Sequence, residues 1–156
     1  MNPFDAVGTA RISGAVYDRV CRVAMSYQSA EEELAIVERS LGANSLAPAF
    51  KTRVVEVTRA TRTHPELRVG SSVRGAVDFS MVAGSLASLR GSTVDDRAVS
   101  LDAALVALSG RVRVREGGAR TAEDIITDIW TSVFGRTDGE PGPGKAAAPS
   151  RGSSPR

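Results

Sequence analysis

Residues 60–91 read ATRTHPELRVGSSVRGAVDFSMVAGSLASLRG. This stretch contains the end of one helix, a connection and a whole second helix. Pro65 disfavours helical backbone at the residue before it, so a helix arriving from upstream stops near His64. Leu67 to Val69 is long enough only for a short extended piece. A helix then starts near Ser72 and continues to about Arg90, with Val77, Met81, Val82, Leu86 and Leu89 expected to face inward.

Upstream and downstream, the pattern is again helical. The helix that stops near His64 begins at about Ala49, and Phe50, Val54, Val57 and Thr61 mark one side of it. Further upstream, Ser29 and Glu32 have the spacing of a capping box. Ala30, Leu34, Val37 and Leu41 then recur at helical period, and Gly42 fits the stop. Downstream, Ser100 is the expected cap of a fourth helix with Leu101, Leu105, Leu108 and Val112 on one face. Thr121 caps a fifth, in which Ala122, Ile125, Ile126, Ile129, Trp130 and Val133 make a broad apolar stripe. The fold class read from these segments is mainly α.

The first part of the chain behaves differently. VCRVAM, residues 20–25, reads as one short strand after a short helix around residues 14–18. A lone strand leaves backbone donors and acceptors unpaired on both edges, so it normally belongs to a sheet. No second convincing strand accompanies it, and the chain therefore reads as the end of something larger. From Gly135 the composition turns to Pro, Gly, Ser and Ala with no large apolar residue. Such a segment buries too little surface to offset its chain entropy, and disorder is the expectation.

Composition limits the function classes. Hydrophobic residues make up 42% and charged residues 24%, which is ordinary for a soluble globular domain. Aromatics are only 4%, so the core is expected to rest mainly on Val, Leu, Ile and Ala. No apolar run reaches the length of a membrane span, and no signal-peptide pattern opens the chain. The single cysteine, Cys21, excludes an internal disulfide, and a cytoplasmic setting is the expectation. The pI near 9.1 invites a nucleic-acid reading. However, the whole net charge of +2 lies in residues 136–156, and the 16 bases and 16 acids of the remaining body cancel. No basic face is evident, which argues against nucleic acid as a partner.

Two stretches carry a family resemblance. NPFDAVGTARISGAVYDRVCRVAMSYQSAEEELAIVERS, residues 2–40, is similar to a segment of the MoxR-type AAA+ ATPases. That segment starts at an Asn-Pro after the fourth core strand and passes through an Asp-Arg-Phe pattern into the last core strand. Residues 60–91 resemble the same family's Thr-Arg…His-Pro…Gly-Ala-Ser-Pro-Arg-Ala block and the Ala-rich helix after it. AVSLDAALVAL continues in register.

The resemblance implies an AAA+ helical lid bundle over residues 43–135. A remnant of the α/β ATPase core, with one short strand, precedes it over residues 1–42, and a tail follows over 136–156. It places Asn2 on the sensor-1 position and Arg19 on the arginine finger, both catalytic, and Arg74 on the nucleotide-binding sensor-2 position. An arginine suits a finger because its planar fork stays charged and meets two phosphate oxygens at once. In the intact family the cofactors are ATP and Mg²⁺, the assembly is a ring homo-oligomer, and the activity is chaperone-like remodelling. A protein with a von Willebrand A domain is a frequent partner. Several positions depart from the family pattern: Ile12-Ser13 stands for Leu-Pro, Val20 for Phe, Gln28 for Pro and Val73 for Pro. These bear on activity more than on fold.

The sequence contains no G-x-x-x-x-G-K-[ST] and no apolar run ending in Asp-Glu. Neither a phosphate cradle nor a Walker-B carboxylate is therefore expected, and the chain should be inactive as an ATPase by itself. No metal site is expected either. The acidic triple Glu31–Glu33 opens a helix, where negative charge suits the dipole. His64 ends a helix, and Cys21 has no histidine in sequence context to make it a nucleophile. The competing class is a non-enzymatic helical module that binds or regulates a partner ATPase.

Overall fold

In a computed structural model, residues 19–21, 23–42 and 46–135 are described. Helix α1 spans Ala30–Leu41 and opens with a complete capping box. The Glu32 amide donates to Ser29 Oγ at 3.1 Å, and the Ser29 amide donates to Glu32 Oε2 at 2.8 Å. Gly42 ends it at φ 54°, a backbone conformation that L side chains rarely adopt. Helix α2 spans Pro48–Thr63. Its first residue is a proline, whose missing N–H has no helical partner to lose. Pro65 ends it as expected, with His64 extended.

Helix α3 spans Val73–Arg90 and closes on Gly91 in the left-handed region at φ 60°. Helix α4 spans Arg97–Leu108 and is followed by a 3-10 turn over Ser109–Arg111. Helix α5 spans Ala122–Phe134. Thr121 and Asp124 form a second capping box at its start. The molecule is thus mainly helical, and no described helix is long and apolar enough to cross a membrane.

α3 and α4 form a helical hairpin, α1 lies against α3 and α2, and α5 closes the bundle against α2 and α4. The predicted inner residues of α2, Phe50, Val54, Val57 and Thr61, are all buried. In α5, Ile125, Ile126, Ile129, Trp130 and Val133 are buried as well. Four aromatics, Phe50, Phe79, Trp130 and Phe134, meet at one point of the core. Phe134 lies edge-on to Phe50 at 5.7 Å and stacks on Trp130 at 5.2 Å, and Phe79 meets Phe50 at 6.1 Å. Full burial of Phe50 and of Phe79 contributes about 1.5–3 kcal/mol each. The aliphatic residues therefore surround an aromatic centre and do not replace it. The Trp130 indole N–H is buried there without a hydrogen-bond partner.

Four expectations are corrected. α4 is capped by Asp96, whose carboxylate accepts from the amides of Ala98 and Val99 at 2.8 and 3.1 Å. Ser100 lies inside the helix and is buried, its hydroxyl donating to the Asp96 carbonyl at 2.9 Å. α3 faces inward through Gly75, Ala76, Phe79, Ser80, Ala83 and Ala87, while Met81 and Leu89 are 52% and 84% exposed. Small side chains let α3 approach its neighbours closely, so its larger residues sit at the margins. The strand expected over residues 20–25 is not formed among the described residues. Val20, Cys21 and Val23–Met25 are irregular and exposed, with no strand beside them among the described residues. A small sheet occurs elsewhere: β1, Leu67–Val69, pairs antiparallel with β2, Arg113–Val114. Its register sets Leu67 opposite Val114, with an irregularity before Val69 and Arg113.

α1 contributes Val37 and Leu41 to the common core. Lys51 also ties α1 to α2, its Nζ 2.7 Å from Glu38 Oε1. α1 therefore packs into the same core as the helices that follow it. The expected short helix around residues 14–18 and the tail over 136–156 lie outside the described residues.

Candidate functional site

Arg74 occupies the first turn of α3 and is exposed. It makes no hydrogen bond or ion pair with another described residue. What stands behind it is tightly built. A Cβ on Gly70 would lie 2.6 Å from Arg62 Cα and 2.7 Å from Thr61 C, so the loop backbone rests directly on the last turns of α2. A Cβ on Gly75 would meet Ser71 Oγ at 2.1 Å and Leu108 Cδ2 at 2.8 Å. Backbone in the way requires glycine at position 70, whereas at Gly75 the near atoms are the ends of the Ser71 and Leu108 side chains.

Two side chains of α2 hold the residue between these glycines. The Ser71 amide donates to Thr61 Oγ1 at 2.8 Å, and Thr61 Oγ1 donates in turn to the Thr58 carbonyl at 2.6 Å. Arg62 Nε donates to the Ser71 carbonyl at 2.7 Å. Both backbone groups of Ser71 are thus satisfied by neighbours in sequence, Thr61 and Arg62. The Thr-Arg and Gly-Ser pieces quoted from the sequence meet here as one packed unit. Ser72 precedes α3 without making a side-chain cap bond. The start of a helix carries partial positive charge and unpaired N–H groups. An exposed guanidinium beside it makes a place suited to an anion.

Of the other two candidate residues, Arg19 lies in an exposed turn and Asn2 falls outside the described residues.

Glu33, the last of the acidic triple that opens α1, is only 1% exposed. Arg59 Nη1 donates to its Oε2 at 3.0 Å. Arg62 Nη1 lies 2.7 Å from Oε1, a charge contact whose N–H is not aimed for a hydrogen bond. Arg62 itself is nine-tenths buried, and its Nη2 has no partner. Its guanidinium is covered by the Tyr27 ring, 4.1 Å from the centroid, and Arg59 Nη1 also donates to the Gln28 carbonyl at 3.0 Å. Tyr27 and Arg62 stand at the edge of an open groove of about 740 Å³ between α1, α2 and α5. Glu33 sits one turn before Val37, on the side of α1 that the structure buries.

Elsewhere, His64 Nδ1 accepts from the Glu66 amide at 3.3 Å and so shapes the turn after α2. Arg111, in the 3-10 turn after α4, pairs with Asp78 and ties that turn to α3. Backbone N–H bonds from Ser29, from Val99 and Ala98, and from Thr121 hold the carboxyls of Glu32, Asp96 and Asp124, respectively, below their ordinary range. Hydrogen bonding to Asp128 makes Arg120 hold its proton more tightly. Among the described residues no group of three or more His, Cys, Asp or Glu is placed to hold a metal ion. Comparison with protein-family models, curated proteins and solved structures returned no match.

Proposed function

We propose that the chain is the arginine-bearing lid portion of a MoxR-type AAA+ ATPase, with Arg74 the sensor-2 contact to nucleotide and Arg19 the finger that reaches a neighbouring subunit's site. The observation that carries this reading is the contrast at the start of α3. Gly70, Ser71 and Gly75 are closely packed, yet Arg74 beside them is exposed and makes no hydrogen bond or ion pair with another described residue. A rigid platform holding an uncommitted cation suits the positioning of a phosphate contact, because phosphoryl transfer depends largely on placement and charge stabilisation. ATP and Mg²⁺ would be held by a core segment carrying the P-loop and Walker-B motifs, since this sequence has neither. In that setting Arg74 would meet nucleotide bound in its own subunit, and ring assembly would bring Arg19 to the next. Chaperone-like remodelling and a von Willebrand A-domain partner follow only as properties of such an assembly.

The test joins the chain to an ATPase core of this family and measures nucleotide affinity and turnover separately. Arg74→Ala is expected to weaken nucleotide binding by about tenfold, the loss of one charge-assisted contact. An unchanged dissociation constant in a properly assembled ring would remove Arg74 from the site.

A further inference from the structure

Arg62 is used on three sides. One edge of its guanidinium donates to the Ser71 carbonyl at 2.7 Å, one lies 2.7 Å from the buried Glu33 carboxylate, and its face carries the Tyr27 ring at 4.1 Å. Beside it, Arg59 bonds both Glu33 and the Gln28 carbonyl. Residues 27 and 28 are otherwise exposed and irregular. The segment leading into α1 is therefore held on the bundle chiefly through these two arginines.

We propose that Arg62 is the pin of a clasp. It holds the segment before α1 on one side and the Ser71 carbonyl on the other. Lifting that segment off the bundle then loosens the loop from which α3 and Arg74 start.

The buried Nη2 without a partner indicates why the clasp can open. A donor cut off from water costs free energy, and the ring contact that covers the guanidinium is of similar size. With Tyr27 in place the guanidinium is kept in, where Nε reaches Ser71. With Tyr27 displaced, water reaches Nη2, and the guanidinium can turn outward and release the Ser71 carbonyl. These two positions of one side chain are the discrete element that coupling between distant segments needs. Because coupling is reciprocal, whatever engages the loop before α3 also favours the seated segment. The clasp makes Arg62 a positioning residue for Arg74. It holds whether or not Arg74 meets a nucleotide.

Amide hydrogen exchange on the whole chain, without nucleotide, tests the clasp. Tyr27→Ala is expected to speed exchange of the Ser71 amide by about tenfold or more, while amides within α4 and α5, such as those of Ala104 and Ile129, keep their wild-type rates. Tyr27→Phe preserves the ring face and is expected to stay within about twofold of wild type at Ser71. Two results overturn the proposal. One is a Ser71 amide unaffected by Tyr27→Ala. The other is equal acceleration at Ser71, Ala104 and Ile129, which makes Tyr27 an ordinary stabilising contact.

Discussion

Gly70 and Gly84 show how differently one residue type can be used. Gly70 has no space for a Cβ, and the atoms in the way are backbone, which cannot rotate aside. Gly70→Ala is expected to destabilise the fold by about 3 kcal/mol, the upper part of the range for overpacking. Gly84 lies within α3, and its nearest obstacle is Leu46 Cδ2 at an ordinary 3.7 Å. Gly84→Ala is expected to stabilise by about 0.5–1 kcal/mol, because it lowers the conformational freedom of the unfolded chain. Urea unfolding of the two variants against wild type checks both signs. Glu33→Gln keeps the shape of a buried side chain but removes the charge that Arg59 and Arg62 face. Breaking a buried ion pair costs about 3–5 kcal/mol, and the lower end is expected here because Arg59 is 38% exposed. The same titration reads it, and no loss of stability would mean that the two arginines are already satisfied elsewhere. Glu33 was legible as part of α1 but not as buried, because an acidic triple in a first turn is ordinarily a solvated one.

At the scale of elements, the sequence was legible wherever punctuation was local. Ser29 with Glu32, Pro65, and Thr121 at the head of its apolar stripe each mark a helix end through chemistry within a few residues. The inward face of α3 was not legible, since apolar residues occur all round it and the buried side is chosen by what α4 and α1 present. Nor was β2, whose two residues become a strand only because Leu67–Val69 lies beside them. For the candidate site, the Thr-Arg and Gly-Ser pieces were legible as motifs. That Thr61 and Arg62 grip the two backbone groups of Ser71 depends on a turn geometry that spacing alone does not determine. The caps also predict behaviour in acid. The carboxyls of Glu32, Asp96 and Asp124 are lowered in the folded state by the N–H groups they cap. Their contribution is therefore full above the ordinary carboxyl range and is lost as pH falls through the lowered folded-state values. Asp96→Asn retains a capping oxygen but cannot titrate, so its stability is expected to fall less steeply than wild type across that acid range. Thermal midpoints from neutral pH downward distinguish the two slopes.

At the scale of the whole molecule, the proposed function turns on which subunit each arginine serves. The chain by itself is expected to show no magnesium-dependent ATP turnover, measured as phosphate release, because its sequence has no phosphate cradle. In rings made with a matching core, Arg19→Ala is expected to lower turnover by about 10³-fold with little change in nucleotide affinity. Mixing Arg19→Ala subunits with subunits whose Walker-A lysine is mutated is expected to recover activity, since an intact finger then faces an intact pocket. If the mixture stays inactive while wild-type subunits mixed the same way turn over, Arg19 does not act across an interface. The expectation of a strand at residues 20–25 came from pattern, and its place in an ATPase core from the resemblance. Those of its residues that are described remain exposed and unpaired, which is consistent with sheet formation depending on neighbours.

The buried indole of Trp130 has an optical consequence. It is the only tryptophan in the chain, and it is stacked on Phe134 with its N–H unbonded. The Arg97 guanidinium lies over the Trp130 ring, 4.8 Å from its centroid, so the first residue of α4 touches α5. An indole denied both water and a hydrogen-bond acceptor emits on the blue side of its range, and exposure shifts it to the red. Intrinsic fluorescence of this protein is therefore a single-site gauge of whether α4 and α5 are docked, readable without any added label.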